Sequence, residues 1–169
     1  MNHIFLFPTE LEAAPFRLLC PDAEVVISGV GMAATAATLS RFLHEGRTIV
    51  LAGIAGAYGG RVALGEVVEV VSERVAELPE RFQREYRTTA QTTLRGVVSN
   101  TVCGCGVDSR DADIENMEGA ALFAMAEAAG FKAVEIRAIS NIVGEPFEMW
   151  DIPLATTTLA QRLKSLFID

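Results

Sequence analysis

The sequence predicts a single α/β domain, and three observations carry that expectation. Short apolar runs alternate with helical segments along almost the whole chain. The early runs break at turn residues: Ile4-Phe5-Leu6-Phe7 at Pro8, Glu24 to Ser28 at Gly29-Val30-Gly31, and Thr48 to Ala52 at Gly53-Ile54-Ala55-Gly56-Ala57. No repeat or low-complexity linker divides the 169 residues, half of which are hydrophobic, so one core is expected over residues 1–169.

The elements follow in order. Thr9 is placed to cap a first helix whose opening turn carries Glu10 and Glu12, where the helix dipole favours carboxylates. Met32 to His44 is alanine-rich and predicts a second helix. Val62 to Val71 suggests a strand pair with Gly65 at its turn. Ser72 to Thr93 is polar without strong periodicity and is expected to be a surface excursion. Leu94 to Cys103 returns to a strand pattern, and Gly104 to Asp113 forms a loop. A helix is predicted from Asn116 to Ala129 with its stop at Gly130, then a strand over Lys132 to Ile139, then a helix over Thr156 to Phe167. The sheet is expected to be at least partly parallel, with helices on both faces.

The formal net charge of −8 argues against nucleic acid, which needs a basic face, and against an anionic membrane surface. A small neutral ligand is compatible with it. No stretch is apolar for long enough to span a bilayer, and Met1-Asn2-His3-Ile4-Phe5 lacks a basic leader region. A cytoplasmic protein is expected. Cys20, Cys103 and Cys105 make an odd number. Cys-Gly-Cys is too tight for an ordinary disulfide and lacks a second pair of zinc ligands, so reduced thiols and no metal are expected.

Four segments carry candidate chemistry. Ser28-Gly29-Val30-Gly31 opens a helix with glycines that let backbone N–H groups approach a ligand, although a plain tight turn reads the same way. Ile54, Ala55 and Gly56 follow a strand in the same manner, and the two segments together suggest a floor for a flat ligand. Neither matches a dinucleotide fingerprint or a P-loop, and no cofactor is implied. Glu115-Asn116-Met117-Glu118-Gly119-Ala120-Ala121 leads an acidic turn into a small-residue helix. Glu118 there suits either a cleft or the helix dipole. Arg137 lies in the otherwise apolar strand Glu135-Ile136-Arg137-Ala138-Ile139 and must be paired if buried, while Ser140 and Asn141 fall where the strand ends.

The last two segments resemble the purine nucleoside phosphorylase and nucleosidase superfamily. Ser28-Gly29-Val30-Gly31, Gly53-Ile54-Ala55-Gly56-Ala57 and Gly65-Glu66-Val67-Val68 support the likeness in the expected order. Pro8-Thr9-Glu10-Leu11-Glu12, the ENMEGAALF and RAISN segments and the tail with Trp150 are similar to the futalosine hydrolase branch. The resemblance implies a mixed, partly barrel-like sheet flanked by helices, in a homo-oligomer. It implies Glu12 as the catalytic acidic residue and Met117 with Glu118 as the ribose-binding pair. Ser28 and Arg137 would stand near the reactive water, with Ser140 and Asn141 beside the base. Val102 falls on the strand that touches the base, without the stacking phenylalanine of the methylthioadenosine branch; Phe82 and Tyr86 are the candidates to replace it. The Ser72–Leu94 region is shorter than in the family.

The chemistry implied is hydrolysis of the N-glycosidic bond of a 6-oxopurine ribonucleoside. Asn141 offers an acceptor and a donor and cannot titrate, which suits N7–H beside a 6-oxo group. The segments around Pro8–Glu12 and Ser28–Gly31 hold no lysine or arginine to receive phosphate. A phosphorylase, a methylthioadenosine-type nucleosidase and a non-catalytic nucleoside-binding descendant stay open as alternatives.

Overall fold

The structure is a computed structural model that describes residues 2–43 and 46–168. Its strands are β1 (His3–Phe7), β2 (Val25–Ile27), β3 (Thr48–Ala57), β4 (Val67–Val75), β5 (Glu85–Arg87), β6 (Gly96–Thr101), β7 (Ile114–Asn116) and β8 (Lys132–Ile142). The helices are α1 (Glu10–Leu19), α2 (Met32–Leu39), α3 (Gly119–Ala129) and α4 (Ile152–Phe167). Each apolar run is continuous because both of its faces are covered. Ile4 and Leu6 of β1 and Ile49 and Leu51 of β3 join Leu39 of α2 and Leu122 of α3 in one core. The alternate residues Phe5, Phe7, Val50 and Ala52 join Phe16 of α1 and Leu159 and Leu163 of α4 in the other.

The sheet closes on itself. β3 pairs with β7 antiparallel, β7 with β6 and β6 with β4 parallel, β4 with β8 antiparallel, and β8 with β3 parallel. β1 and β2 extend the sheet from β3, and β5 lies antiparallel against β4. The expected single α/β domain with a mixed, barrel-like sheet and flanking helices is therefore present.

Several boundaries differ from expectation, each for a physical reason. β3 runs on through Gly53 to Ala57 instead of stopping at Ala52. Its glycines lie opposite large polar residues of β8: Gly53 pairs with Arg137 and, past a bulge, Gly56 pairs with Asn141. Val62 to Val71 is not a strand pair; β4 begins at Val67 and continues to Val75 through buried Glu69, Ser72 and Glu73, so part of the supposed surface excursion is barrel wall. Those polar groups hide the strand from hydropathy because they are satisfied inside. Glu69, for example, accepts from the N–H groups of Gln91 and Thr92 and from the Thr92 hydroxyl. α3 begins at Gly119, since Asn116 still belongs to β7. α4 begins four residues early because Asp151 caps it, accepting from Leu154 N–H. α2 ends at Leu39, and His44, its expected end, lies outside the described residues.

Phe16 fixes α1, which delivers Glu12, against the sheet. Its ring lies 4.6 Å from that of Phe5 and 5.8 Å from that of Phe7. Phe16→Ala is expected to lower the unfolding free energy by about 3–5 kcal/mol in urea denaturation. A loss under about 1 kcal/mol would mean that α1 is not anchored there.

Candidate functional site

A cavity of about 330 Å³ opens at the rim where the ends of β3, β7 and β8 meet the starts of α1 and α4. That volume falls at the small end of ordinary ligand cavities, roughly 300–1,000 Å³. Glu12, Glu115, Asn116, Glu118, Ser140 and Asn141 give its wall a polar side. Leu11, Val30, Ile54, Phe147, Trp150 and Ile152 give it an apolar one.

Glu12 is delivered by the turn that starts α1. Thr9 Oγ1 accepts from Glu12 N at 3.2 Å as the cap and donates to Glu12 Oε2 at 2.6 Å, while Ile54 N donates to Glu12 Oε1 at 3.0 Å. The carboxylate is thereby aimed across the cavity wall. Burial pushes its pKa above the ordinary glutamate range; the Thr9 and Ile54 hydrogen bonds and the charge of Arg137 oppose that, and Glu118 reinforces it.

Glu118 occupies the cap position of α3, but its side chain makes no hydrogen bond to that helix. Its Oε1 accepts from Gly31 N at 2.9 Å, at the start of α2, and its Oε2 lies 3.2 Å from Arg137 Nη1. Asn116 supplies what Glu118 leaves undone. Its Oδ1 accepts from the N–H groups of Glu118 and Gly119 at 2.8 and 2.7 Å and from Arg137 Nη2 at 3.0 Å.

Asn141 is held in plane by its neighbours. Its Oδ1 accepts from Ser140 Oγ at 2.8 Å, and its Nδ2 donates to the Ile142 carbonyl at 3.2 Å. Each interaction leaves capacity over: a second lone pair and a second N–H. Gly56 makes room for this amide, because a Cβ there would stand 3.1 Å from Asn141 Nδ2.

The expected site residues divide into two groups. Glu12, Ile54, Ala55, Gly56, Val102, Met117, Glu118, Ser140 and Asn141 line the cavity together. Arg137 is fully buried behind that wall, donating to Glu135 Oε1 from Nε at 2.8 Å, so it meets carboxylates rather than the cavity. Ser28 and Gly29 also stand off the wall, which Val30 reaches instead; the Ser28 hydroxyl donates to the carbonyls of Phe7 and Gly29. Phe82 is exposed, and Tyr86 packs against Arg84 beside another groove, so neither faces the cavity. Its aromatic residues are Phe147 and Trp150, whose rings touch at 5.2 Å. An aromatic pair just beyond the RAISN segment was the available signal for them. Glu115, inside the acidic motif, also lines the cavity, with its Oε2 accepting from Tyr58 OH at 2.8 Å.

Cys103 and Cys105 are exposed, unbridged thiols. Among the described residues no cluster of potential ligands could hold a metal ion, and no helix is long and apolar enough to cross a membrane.

The family model of the phosphorylase superfamily matches residues 93–169, somewhat under half of the chain. No curated protein matches it. Solved structures are similar in fold over nearly its whole length. The 5′-methylthioadenosine nucleosidase of Arabidopsis thaliana has a TM-score of 0.83 at 17% identity, covering 96% of this chain and 93% of the other. A putative 5′-methylthioadenosine/S-adenosylhomocysteine nucleosidase from Francisella philomiragia has a TM-score of 0.84 at 15% identity, covering 98% of each. A futalosine hydrolase mutant of Helicobacter pylori has a TM-score of 0.79 at 13% identity, again covering 98% of each. The fold is therefore that of the nucleosidases.

The raised pKa of Glu12 has a consequence for stability. A carboxyl whose folded pKa exceeds its unfolded one stabilises the fold at pH below the unfolded value and loses that contribution as pH rises through the folded one. Glu12→Gln is therefore expected to be more stable than wild type at pH 7, with the advantage vanishing near pH 4. Thermal unfolding at the two pH values measures this. An unchanged or lower Tm at pH 7 would show that hydrogen bonding, not burial, governs Glu12.

Proposed function

We propose that the protein is a nucleosidase that cuts the N-glycosidic bond of 6-oxopurine ribonucleosides, futalosine-type, with water as the nucleophile. The observation that carries the reading is the convergence of Glu12, Glu118 and Asn141 on one nucleoside-sized cavity. Ribose would sit against Glu118, whose oxygens each retain a lone pair for the vicinal 2′- and 3′-hydroxyls. Glu12, whose carboxylate burial makes more basic than an ordinary glutamate, would remove a proton from the attacking water. The water oxygen bonds to C1′ as the C1′–N9 bond breaks with its electron pair leaving on the purine; the purine takes up a proton from solvent, and Glu12 releases the proton it took to solvent. Arg137 would hold Glu118 in place from behind instead of touching the water.

The spare lone pair of Asn141 Oδ1 suits N7–H, and its spare N–H suits a 6-oxo group. Phe147 and Trp150 would offer the base or the 5′ substituent an apolar surface. Phosphate is disfavoured as a nucleophile because it would meet Glu12, Glu115 and Glu118 on the wall. The apolar rim of Leu11, Val30 and Ile152 favours an uncharged 5′ group, which keeps a methylthioadenosine-type substrate as the second reading. A self-associating, cytoplasmic enzyme without a cofactor belongs to the same proposal.

Base release from inosine, adenosine and their 5′-substituted analogues, with and without phosphate, tests it. Phosphate-independent release from the 6-oxo members is expected. Release that requires phosphate would make the protein a phosphorylase, and binding of hypoxanthine without any turnover would make it a non-catalytic descendant.

Asn141 supplies the sharper prediction. Asn141→Asp removes the N–H offered to O6 and places negative charge beside it. The kcat/KM ratio of a matched inosine-like and adenosine-like pair is expected to shift by about 1–3 kcal/mol against the 6-oxo member. An unchanged ratio would mean that the amide does not face the base.

A further inference from the structure

Behind the cavity, the barrel interior holds two carboxylates that the proposed reaction does not use. Glu73 on β4 and Glu135 on β8 are both fully buried. Glu73 Oε1 accepts from the Thr101 hydroxyl at 2.9 Å, and its Oε2 accepts from Asn116 Nδ2 at 3.0 Å. Glu135 Oε1 accepts from Arg137 Nε at 2.8 Å, whereas its Oε2 is buried without a hydrogen-bond partner. Both Oε2 atoms crowd one point: each lies under 3.0 Å from where a Cβ on Gly119 would stand. Glycine is required there because any side chain would occupy the space in which the carboxyls meet.

Two ionised carboxylates do not rest side by side away from water, and a buried polar oxygen does not stay unpaired without cost. The surroundings sharpen the imbalance. Arg137 already serves Glu135 and Glu118 directly and feels Glu12, while the polar neighbours Asn116, Thr101 and Ser99 carry no charge. One proton resolves both problems. Placed on Glu73 Oε2, it gives Glu135 Oε2 its missing donor and removes one negative charge. Burial raises the pKa of both carboxyls; Glu135 is the one that Arg137 Nε holds directly at 2.8 Å, whereas Glu73 has only the neutral partners Thr101 and Asn116, so the proton belongs on Glu73.

We propose that Glu73 and Glu135 share a single proton and act as positioning residues, holding Arg137, and through it Glu118, on the floor of the nucleoside cavity. Glu135 then bears the pair's charge towards Arg137 Nε and leaves Nη1 for Glu118. The inference rests on the nucleosidase reading only for what Glu118 does. The proton itself is independent of it.

Two measurements test the proposal. The first needs no substrate. The infrared spectrum of the wild type at neutral pH is expected to show the C=O band of a buried protonated carboxyl. Glu135→Gln is expected to abolish that band, because its amide N–H takes the place of the proton on Glu73 and leaves Glu73 ionised. Absence of the band in the wild type, or its persistence in Glu135→Gln once Glu12→Gln has removed the other cavity carboxyl whose pKa burial raises, would overturn the pairing.

The second is kinetic. Glu135→Gln keeps both an acceptor for Arg137 and a donor for Glu73 and is expected to retain the wild-type KM. Glu135→Leu removes both and is expected to raise KM for ribonucleosides about tenfold with little change for 2′-deoxynucleosides, since Glu118 reads the diol. Equal losses for both sugars would reduce the pair to a structural feature and overturn its positioning role. The expected infrared change in a protein that turns over no nucleoside would support the proton pair and count against the nucleosidase reading instead.

Discussion

Arg137 lies in a strand whose neighbours are aliphatic, and its guanidinium is fully buried. A charge in that position persists only if carboxylates and carbonyls are brought to it, and removing one partner of such a cluster typically costs about 3–5 kcal/mol. Much of the local architecture follows from this demand. Gly53 lacks a side chain because a Cβ there would stand 2.7 Å from Arg137 Nη1 and 2.9 Å from Glu12 Oε1. Asn116 spends one oxygen on Arg137 and on two N–H groups at the start of α3, so the same contact that satisfies the cation also caps a helix. Glu118 cannot turn to solvent without abandoning Arg137 and Gly31.

Barrel closure determines which way this cluster faces. β3 takes partners on both edges, so β7 and β8 end beside its glycine-bearing half. Three strand ends and the capped start of α1 then surround one opening. Ligands of α/β folds gather beyond strand ends for this reason, since backbone and side-chain polar groups emerge there with no further strand to absorb them. The cross-strand pairs of Gly53 with Arg137 and Gly56 with Asn141 show the sequence logic. One strand gives up side chains so that the next can carry large polar ones inside the barrel.

Much of this fold can be read from the chain because β1 and the first half of β3 are almost wholly apolar and several helix ends carry ordinary cap residues. Thr9 and Gly130 mark their helix ends as their chemistry predicts. β4 and β7 are less legible. Glu69, Ser72 and Glu73 are buried in β4, and hydropathy treats a buried, satisfied glutamate as surface. The site divides along the same line. Glu12, Glu118 and Asn141 announce themselves by position at helix starts and a strand end, and they meet at the cavity. Arg137 and Ser28 are drawn away from it by partners invisible in a linear pattern: Glu135 and Asn116 for the first, the Phe7 and Gly29 carbonyls for the second. Phe147 and Trp150 reach the wall through a short 3₁₀ turn after β8 that carries no periodic signal.

The most direct test of the account is a crystal structure with a hydrolysis-resistant C-nucleoside analogue of inosine. The ribose diol is expected on Glu118, the base edge on the Asn141 amide, and the anomeric carbon facing Glu12 across the space of one water. An analogue bound outside this cavity, or seated in it with the base turned away from Asn141 and the sugar away from Glu118, would contradict it.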